Sequence, residues 1–87
     1  MKKYKNKLRY RSWHRGTKEA DLLLGNFFDK HSPNMNHQEL LLYEEFLNLL
    51  DDNDLLYIVK GHKDWPSNFP LKIVKRLKEF IKSENTK

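Results

Sequence analysis

The sequence predicts an all-α fold, a small five-helix bundle in a single domain. Two observations carry this: apolar residues recur at helical rather than strand spacing throughout, and the few Gly and Pro residues, three of each in 87, fall mostly between those periodic stretches. The absence of cysteine adds a third constraint, because a chain this short must then hold together by packing alone.

The first helix is expected over ~5–14, with Tyr4/Leu8 and Tyr10/Trp13 as apolar pairs. Gly16 ends it. The second runs ~17–31. Ala20, Leu23, Leu24 and Phe27 form its core stripe, and Leu22 and Phe28 widen that stripe. Gly25 inside this helix costs ~1 kcal/mol relative to alanine, which a close helix–helix approach would offset. Ser32-Pro33-Asn34 reads as a loop, bordered by His31 and His37 as surface groups.

The third helix, ~37–50, opens with capping-box spacing at Asn36 and Glu39 and a staple of Met35 and Leu40. Leu40, Tyr43, Leu47 and Leu50 form one stripe, and Leu42, Phe46 and Leu49 the next. Asp51 caps a short fourth helix, ~52–60, which stops at Gly61. A connector with Trp65-Pro66 leads to a fifth helix at Pro70, with Ile73, Val74, Leu77, Phe80 and Ile81 toward the core. Residues 1–4 and 83–87 are expected to fray at the ends of the single domain, 1–87.

The net charge of +5 is unevenly spread. Residues 1–15 hold seven bases and no acid, 16–66 four bases and ten acids, and 67–87 six bases and two acids. An acidic middle between basic ends suggests pairing within the fold rather than one field for a polyanion. The sharper alternative is a nucleic-acid-binding helix, with Lys2, Lys3, Lys5, Lys7, Arg9 and Arg11 interleaved with Tyr4, Tyr10 and Trp13. No readout motif accompanies it, so no specific nucleic acid is expected.

Catalysis finds little support. The four histidines have no i,i+4 pair, so no metal set is expected. Glu44 and Glu45 are adjacent and point to different faces. No serine has a nucleophile elbow, and no Gly-Lys-Ser/Thr phosphate loop occurs. No apolar run reaches the ~20 residues of a membrane span, so no membrane insertion is expected. The remaining signal is the helix-one to helix-two junction, where Arg15, Gly16, Glu19 and Asp21 cluster. By spacing alone it reads as a helix break with an Arg15–Glu19 pair at i,i+4.

Read as a whole, Leu8-Arg9-Tyr10-Arg11-Ser12-Trp13-His14-Arg15-Gly16-Thr17-Lys18-Glu19-Ala20-Asp21-Leu22-Leu23-Leu24-Gly25 resembles the succinate dehydrogenase assembly factor 2, or flavinylation factor, family. The family's Arg-Gly-x-x-Glu signature stands here as Arg15-Gly16-Thr17-Lys18-Glu19, followed by Asp21 and a leucine run. Ser12-Trp13-His14-Arg15-Gly16 is similar to the alphaproteobacterial form. Glu44-Glu45-Phe46-Leu47-Asn48-Leu49-Leu50 and Asp52-Asn53-Asp54-Leu55 extend the likeness, with Asn53 in place of the usual proline and Ile58 where tryptophan is frequent.

The resemblance implies a chaperone, not an enzyme. It would bind the flavoprotein subunit of succinate dehydrogenase and promote covalent attachment of FAD to that client, holding no cofactor of its own. The expected partner face is Arg15, Gly16, Glu19 and Asp21, extended by Arg11, Trp13 and His14. Arg15 would fork onto a partner carboxylate or carbonyls, and Gly16 would admit a close partner backbone. A monomer in a bacterial cytoplasm is expected, with the mitochondrial matrix as the second choice, the location inferred from the start at Met1 without a transit peptide.

Overall fold

The computed structural model describes residues 2–85. Five helices follow one another: α1 Lys2–Trp13, α2 Lys18–His31, α3 His37–Leu49, α4 Asp52–Val59 and α5 Leu71–Asn85. The stretch Ser32–Asn34, expected as loop, is a 3-10 turn with Pro33 inside it. No strand occurs among the described residues. Helix α1 begins at Lys2, three residues before the expected start. The fraying expected at Met1 and at 86–87 lies outside the described residues.

The caps follow from the side chains present. Thr17 Oγ1 accepts from Ala20 N–H at 3.2 Å, and Asn36 Oδ1 from Glu39 N–H at 2.9 Å. Asp51 Oδ1 accepts from Asn53 and Asp54 N–H. Each satisfies a donor that the first helical turn leaves unpaired. The box at Asn36 is half-formed, since the Glu39 carboxylate turns instead to Arg76 Nε at 2.7 Å.

The core is built from the expected stripes of α2, α3 and α5. Leu24, Phe27, Leu40, Tyr43, Ile73 and Leu77 are fully buried. Leu55 joins them from α4, and Phe69 from the connector. Leu22 and Leu49 depart from expectation, being 46% and 40% exposed. Leu22 lies about 160° round α2 from Leu24, and Leu49 about 160° round α3 from Leu47, so both point away from the buried stripes.

Helix α1 is the least apolar of the five and is held mostly by specific contacts. Leu8 is its one fully buried apolar side chain. Ser12 Oγ donates to Leu8 C=O at 2.8 Å and meets the Tyr43 hydroxyl at 2.6 Å, so both buried hydroxyls are satisfied. The Trp13 indole lies against α2 at Gly25, where a Cβ would overlap the ring. This is the close approach the glycine implied.

Ion pairs stitch the basic start to the acidic middle: Lys7 and Arg11 to Glu44, and Arg9 to Asp29. Tyr4 donates to Glu44 Oε1 at 2.9 Å. Its phenol is pushed up to about 12, by burial first and then by the Glu44 bond.

The corner where α2, α3 and α5 meet is acid-sensitive. His31 was expected as a surface group, yet it is half-buried, stacked on Phe27 at 4.8 Å, with Nδ1 3.4 Å from Arg76 Nη1. Burial first, then Arg76 and Lys30, lower its pKa, with Glu79 opposing. For Glu39, burial raises the carboxyl, but the Arg76 hydrogen bond and charge outweigh it and the net shift is downward.

Both groups are therefore protonated more readily in the unfolded chain. The stability these two groups contribute should be fully present above about pH 6.5 and should fall first as His31 titrates, then below about pH 4.5 as Glu39 does. His31→Gln should flatten the loss between about pH 7 and 5 while leaving the lower limb, as read by urea midpoints across that range.

Candidate functional site

The turn between α1 and α2 is fixed from both sides. On the α2 side, Asp21 Oδ1 accepts from Arg15 N–H at 2.5 Å and Gly16 N–H at 3.3 Å. Asp21 stands in the first turn of α2, where a carboxylate also suits the positive helix end. Gly16 has φ 122°, a conformation that glycine tolerates and L side chains rarely adopt. A Cβ there would lie 3.5 Å from Asp52 Oδ2, an ordinary contact. The glycine is thus required first by its backbone. The close approach expected for a partner is not needed to explain it.

On the other side, the Arg15 side chain reaches across the bundle. Nε pairs with Asp52 Oδ1 at 3.0 Å, Nη2 donates to Leu50 C=O at 3.0 Å, and Nη1 to Leu47 C=O at 3.3 Å. It is only 13% exposed. One guanidinium thereby meets carbonyls at the negative end of α3 and the first residue of α4. The Arg15–Glu19 pair that spacing suggested is not formed, because Asp52 and two carbonyls offer the fork a better fit. Nothing in local sequence links Arg15 to a residue 37 positions away. Asp52 itself reads from sequence as an ordinary first-turn acid.

With Arg15 turned inward and Asp21 partly buried at the turn, a different set faces solvent. Glu19 is exposed in the first turn of α2 and has no ion pair among the described residues. Beside it lies an open depression of about 530 Å³ lined by Trp13, His14, Gly16, Thr17, Lys18, Asp21 and Leu22. Leu22 and Tyr10 stand exposed near it, Tyr10 at 65%. His14 stacks on Tyr10 at 4.0 Å, with Nδ1 2.7 Å from the Tyr10 carbonyl.

Of the outer candidates, Trp13 and His14 line the depression. Arg11 is drawn away, donating to Asn48 Oδ1 at 2.6 Å. Leu22 and Tyr10 were missed from sequence because their apolar character reads as core. Among the described residues no group of three or more His, Asp or Glu converges as a metal site. An apolar and aromatic depression with a charged rim is the anatomy of a protein-docking patch.

The family model described as "Flavinator of succinate dehydrogenase" matches residues 6–81, a stretch that contains every turn described above. The chain belongs to that family. Curated relatives agree. The chain is 34% identical over 82 residues to succinate dehydrogenase assembly factor 2, mitochondrial, of Aedes aegypti, covering 93% of this chain and 51% of the relative. It is 35% identical over 80 residues to assembly factor 2-B, mitochondrial, of Drosophila melanogaster, covering 91% and 51%. It is 33% identical over 86 residues to the Culex quinquefasciatus protein of the same kind, covering 98% and 54%.

The chain thus spans about half the length of the curated relatives it matches. No solved structure matches it. The expected bacterial cytoplasm is overturned by these relatives, which are named mitochondrial. The start at Met1, on which that expectation rested, cannot locate a chain that spans half of its relatives. Their names describe assembly factors rather than enzymes.

Proposed function

We propose that this chain is an assembly factor that binds the flavoprotein subunit of succinate dehydrogenase and favours covalent attachment of FAD to it. Membership of the flavinator family supports the client. The observation that carries the surface is Glu19, exposed and unpaired beside the apolar depression, on a turn that Arg15 and Asp21 brace from within. In this reading the Arg15-Gly16-Thr17-Lys18-Glu19 signature divides its labour. Arg15, Gly16 and Asp21 set the shape of the turn, while Glu19, Trp13, His14 and Leu22 meet the client.

The factor supplies no nucleophile, metal or cofactor in this proposal, and any binding of free FAD is weak. It acts by binding one conformation of the flavoprotein better than others, which raises the population competent for attachment. The free factor is monomeric in this reading. No helix among the described residues is long and apolar enough to cross a membrane.

A nucleic-acid role for α1 is the weaker reading. Arg9 and Arg11 are drawn to Asp29, Glu44 and Asn48, and Trp13 is seated on Gly25. Any oligonucleotide binding by this helix should be salt-sensitive and no tighter than ~10⁻⁶ M.

The test co-expresses the flavoprotein with wild-type factor, Glu19→Lys or no factor, and reads in-gel flavin fluorescence after denaturation. Wild type should raise covalent flavin, and Glu19→Lys should lose most of the gain. The substitution should shift stability by less than ~0.5 kcal/mol, since an exposed unpaired acid contributes little. Equal covalent flavin in all three arms would sink the proposal.

A further inference from the structure

Helix α5 carries the positive charge that the fold does not neutralise. Its one arginine, Arg76, turns inward to Glu39 and His31. Glu79 acts on His31, and Lys72 acts on Glu39. By helical count Lys72 and Glu79 lie about 20° apart on one side of α5, and next to them Leu71, Lys75, Lys78 and Lys82 follow at i, i+4, i+7 and i+11, which places them on one face about 16 Å long. All four are exposed, Leu71 at 78%. None of the three lysines has an ion pair among the described residues, and the acid that borders the row, Glu79 at i+4 from Lys75 and i−3 from Lys82, is not within ion-pair distance of any of them.

Helix α1 differs in part: Lys7, Arg9 and Arg11 are paired with Glu44 and Asp29, while Lys2 and Lys3 at its start are exposed without an ion pair among the described residues. The row is also remote from the α1–α2 turn. Phe80 of α5 packs on Phe27 and His31, at the far end of α2 from Glu19. Helix α2 is about 20 Å long, with Glu19 in its first turn and the Phe80 contact near its C-terminal end.

We infer that the Leu71, Lys75, Lys78 and Lys82 face of α5 is a peripheral docking surface for an anionic lipid bilayer, with the helix lying in the plane of the headgroups. Lysine ammoniums are point charges suited to a diffuse anionic plane. The row has no guanidinium fork for a bidentate phosphate and no aromatic ring for base stacking. Leu71 at its head is an apolar group that the headgroup–acyl boundary accommodates and a nucleic-acid backbone does not. Nothing inserts across the membrane. The contact is electrostatic, reversible and salt-sensitive, and it leaves the Glu19 surface open.

The experiment is flotation of the whole chain with vesicles of phosphatidylcholine alone or mixed equally with phosphatidylglycerol. Wild type should float with the anionic vesicles at low salt and not with the neutral ones. Added salt should release it. At roughly fivefold per lysine, Lys75→Gln/Lys78→Gln/Lys82→Gln together should lower partitioning about 100-fold. Leu71→Ser should lower it a few-fold.

A control with the same change of charge, Lys2→Gln/Lys3→Gln/Lys7→Gln, should lose far less. All these positions are exposed, so circular dichroism should be unchanged, and the single Lys75→Gln serves if the triple variant loses helix. Equal loss in the α1 control would show net charge alone at work and overturn the assignment. So would binding to neutral vesicles, indifference to Leu71→Ser, or tighter binding of a single-stranded oligonucleotide through the same three lysines.

Discussion

Arg15→Ala is expected to lower the unfolding free energy by about 2–3 kcal/mol, the largest loss from any single charged residue in the chain. Three hydrogen bonds disappear at once, to Asp52 and to the Leu47 and Leu50 carbonyls. The Asp52 carboxylate is left without its partner while only a quarter of its side chain meets water. The figure stays below that for a fully buried pair because this remaining exposure allows partial solvation.

Arg15→Lys should recover only part of the loss. An ammonium can reach Asp52 or a carbonyl, but it has no fork to span them. Urea denaturation followed by circular dichroism gives the free energies. A cycle with Asp52→Ala should show a coupling of about 1–2 kcal/mol, and strictly additive losses would mean that the clasp does not operate in solution. In the flavinylation assay Arg15→Ala should fail together with Glu19→Lys, but only the former should also melt early. That difference separates a brace from a contact.

Gly25→Ala is expected to destabilise by about 1–3 kcal/mol, opposite in sign to helix propensity. In an open helix the change would gain about 1 kcal/mol. Here the added methyl would overlap the fused-ring atoms of Trp13, which cannot swing aside as the tip of a flexible chain can. Helix α1 must then move away from α2 or Trp13 must leave its seat. Thermal melting should show the loss, and Trp13 emission should shift to the red as the ring becomes wetter. Truncating the ring as well, Trp13→Ala/Gly25→Ala, should cost less than the two separate losses added together. A stabilised Gly25→Ala would show that the helices do not meet there.

These two residues also show where the sequence was readable. Gly25 in a helix announces a close neighbour, because only a contact offsets its cost, but the identity of that neighbour is a matter of tertiary placement. Arg15 misleads in the other direction. Its nearest acid by helical count is Glu19, and the actual partner, Asp52, was already explained as a first-turn acid. Leu22 and Leu49 fail for a third reason: each stands about 160° of helix from a buried leucine two positions away, so widening the stripe to include them goes beyond the face the fold covers. The half-formed box at Asn36 belongs with these, since Glu39 has the right spacing and a stronger ligand in Arg76.

The sequence by itself determined the five helices, the caps at Asn36 and Asp51, the core stripes and the family. Each depends on residues within a turn or two of one another, or on a pattern carried along the chain. Only the tertiary structure decided which of Arg15, Gly16, Glu19 and Asp21 face inward and which face out. It also decided that the N-terminal charges are mostly spent on the acidic middle while Lys75, Lys78 and Lys82 of α5 are left in water. A charged side chain takes whichever partner the fold brings within hydrogen-bond reach, and that reach crosses 37 positions of sequence for Arg15.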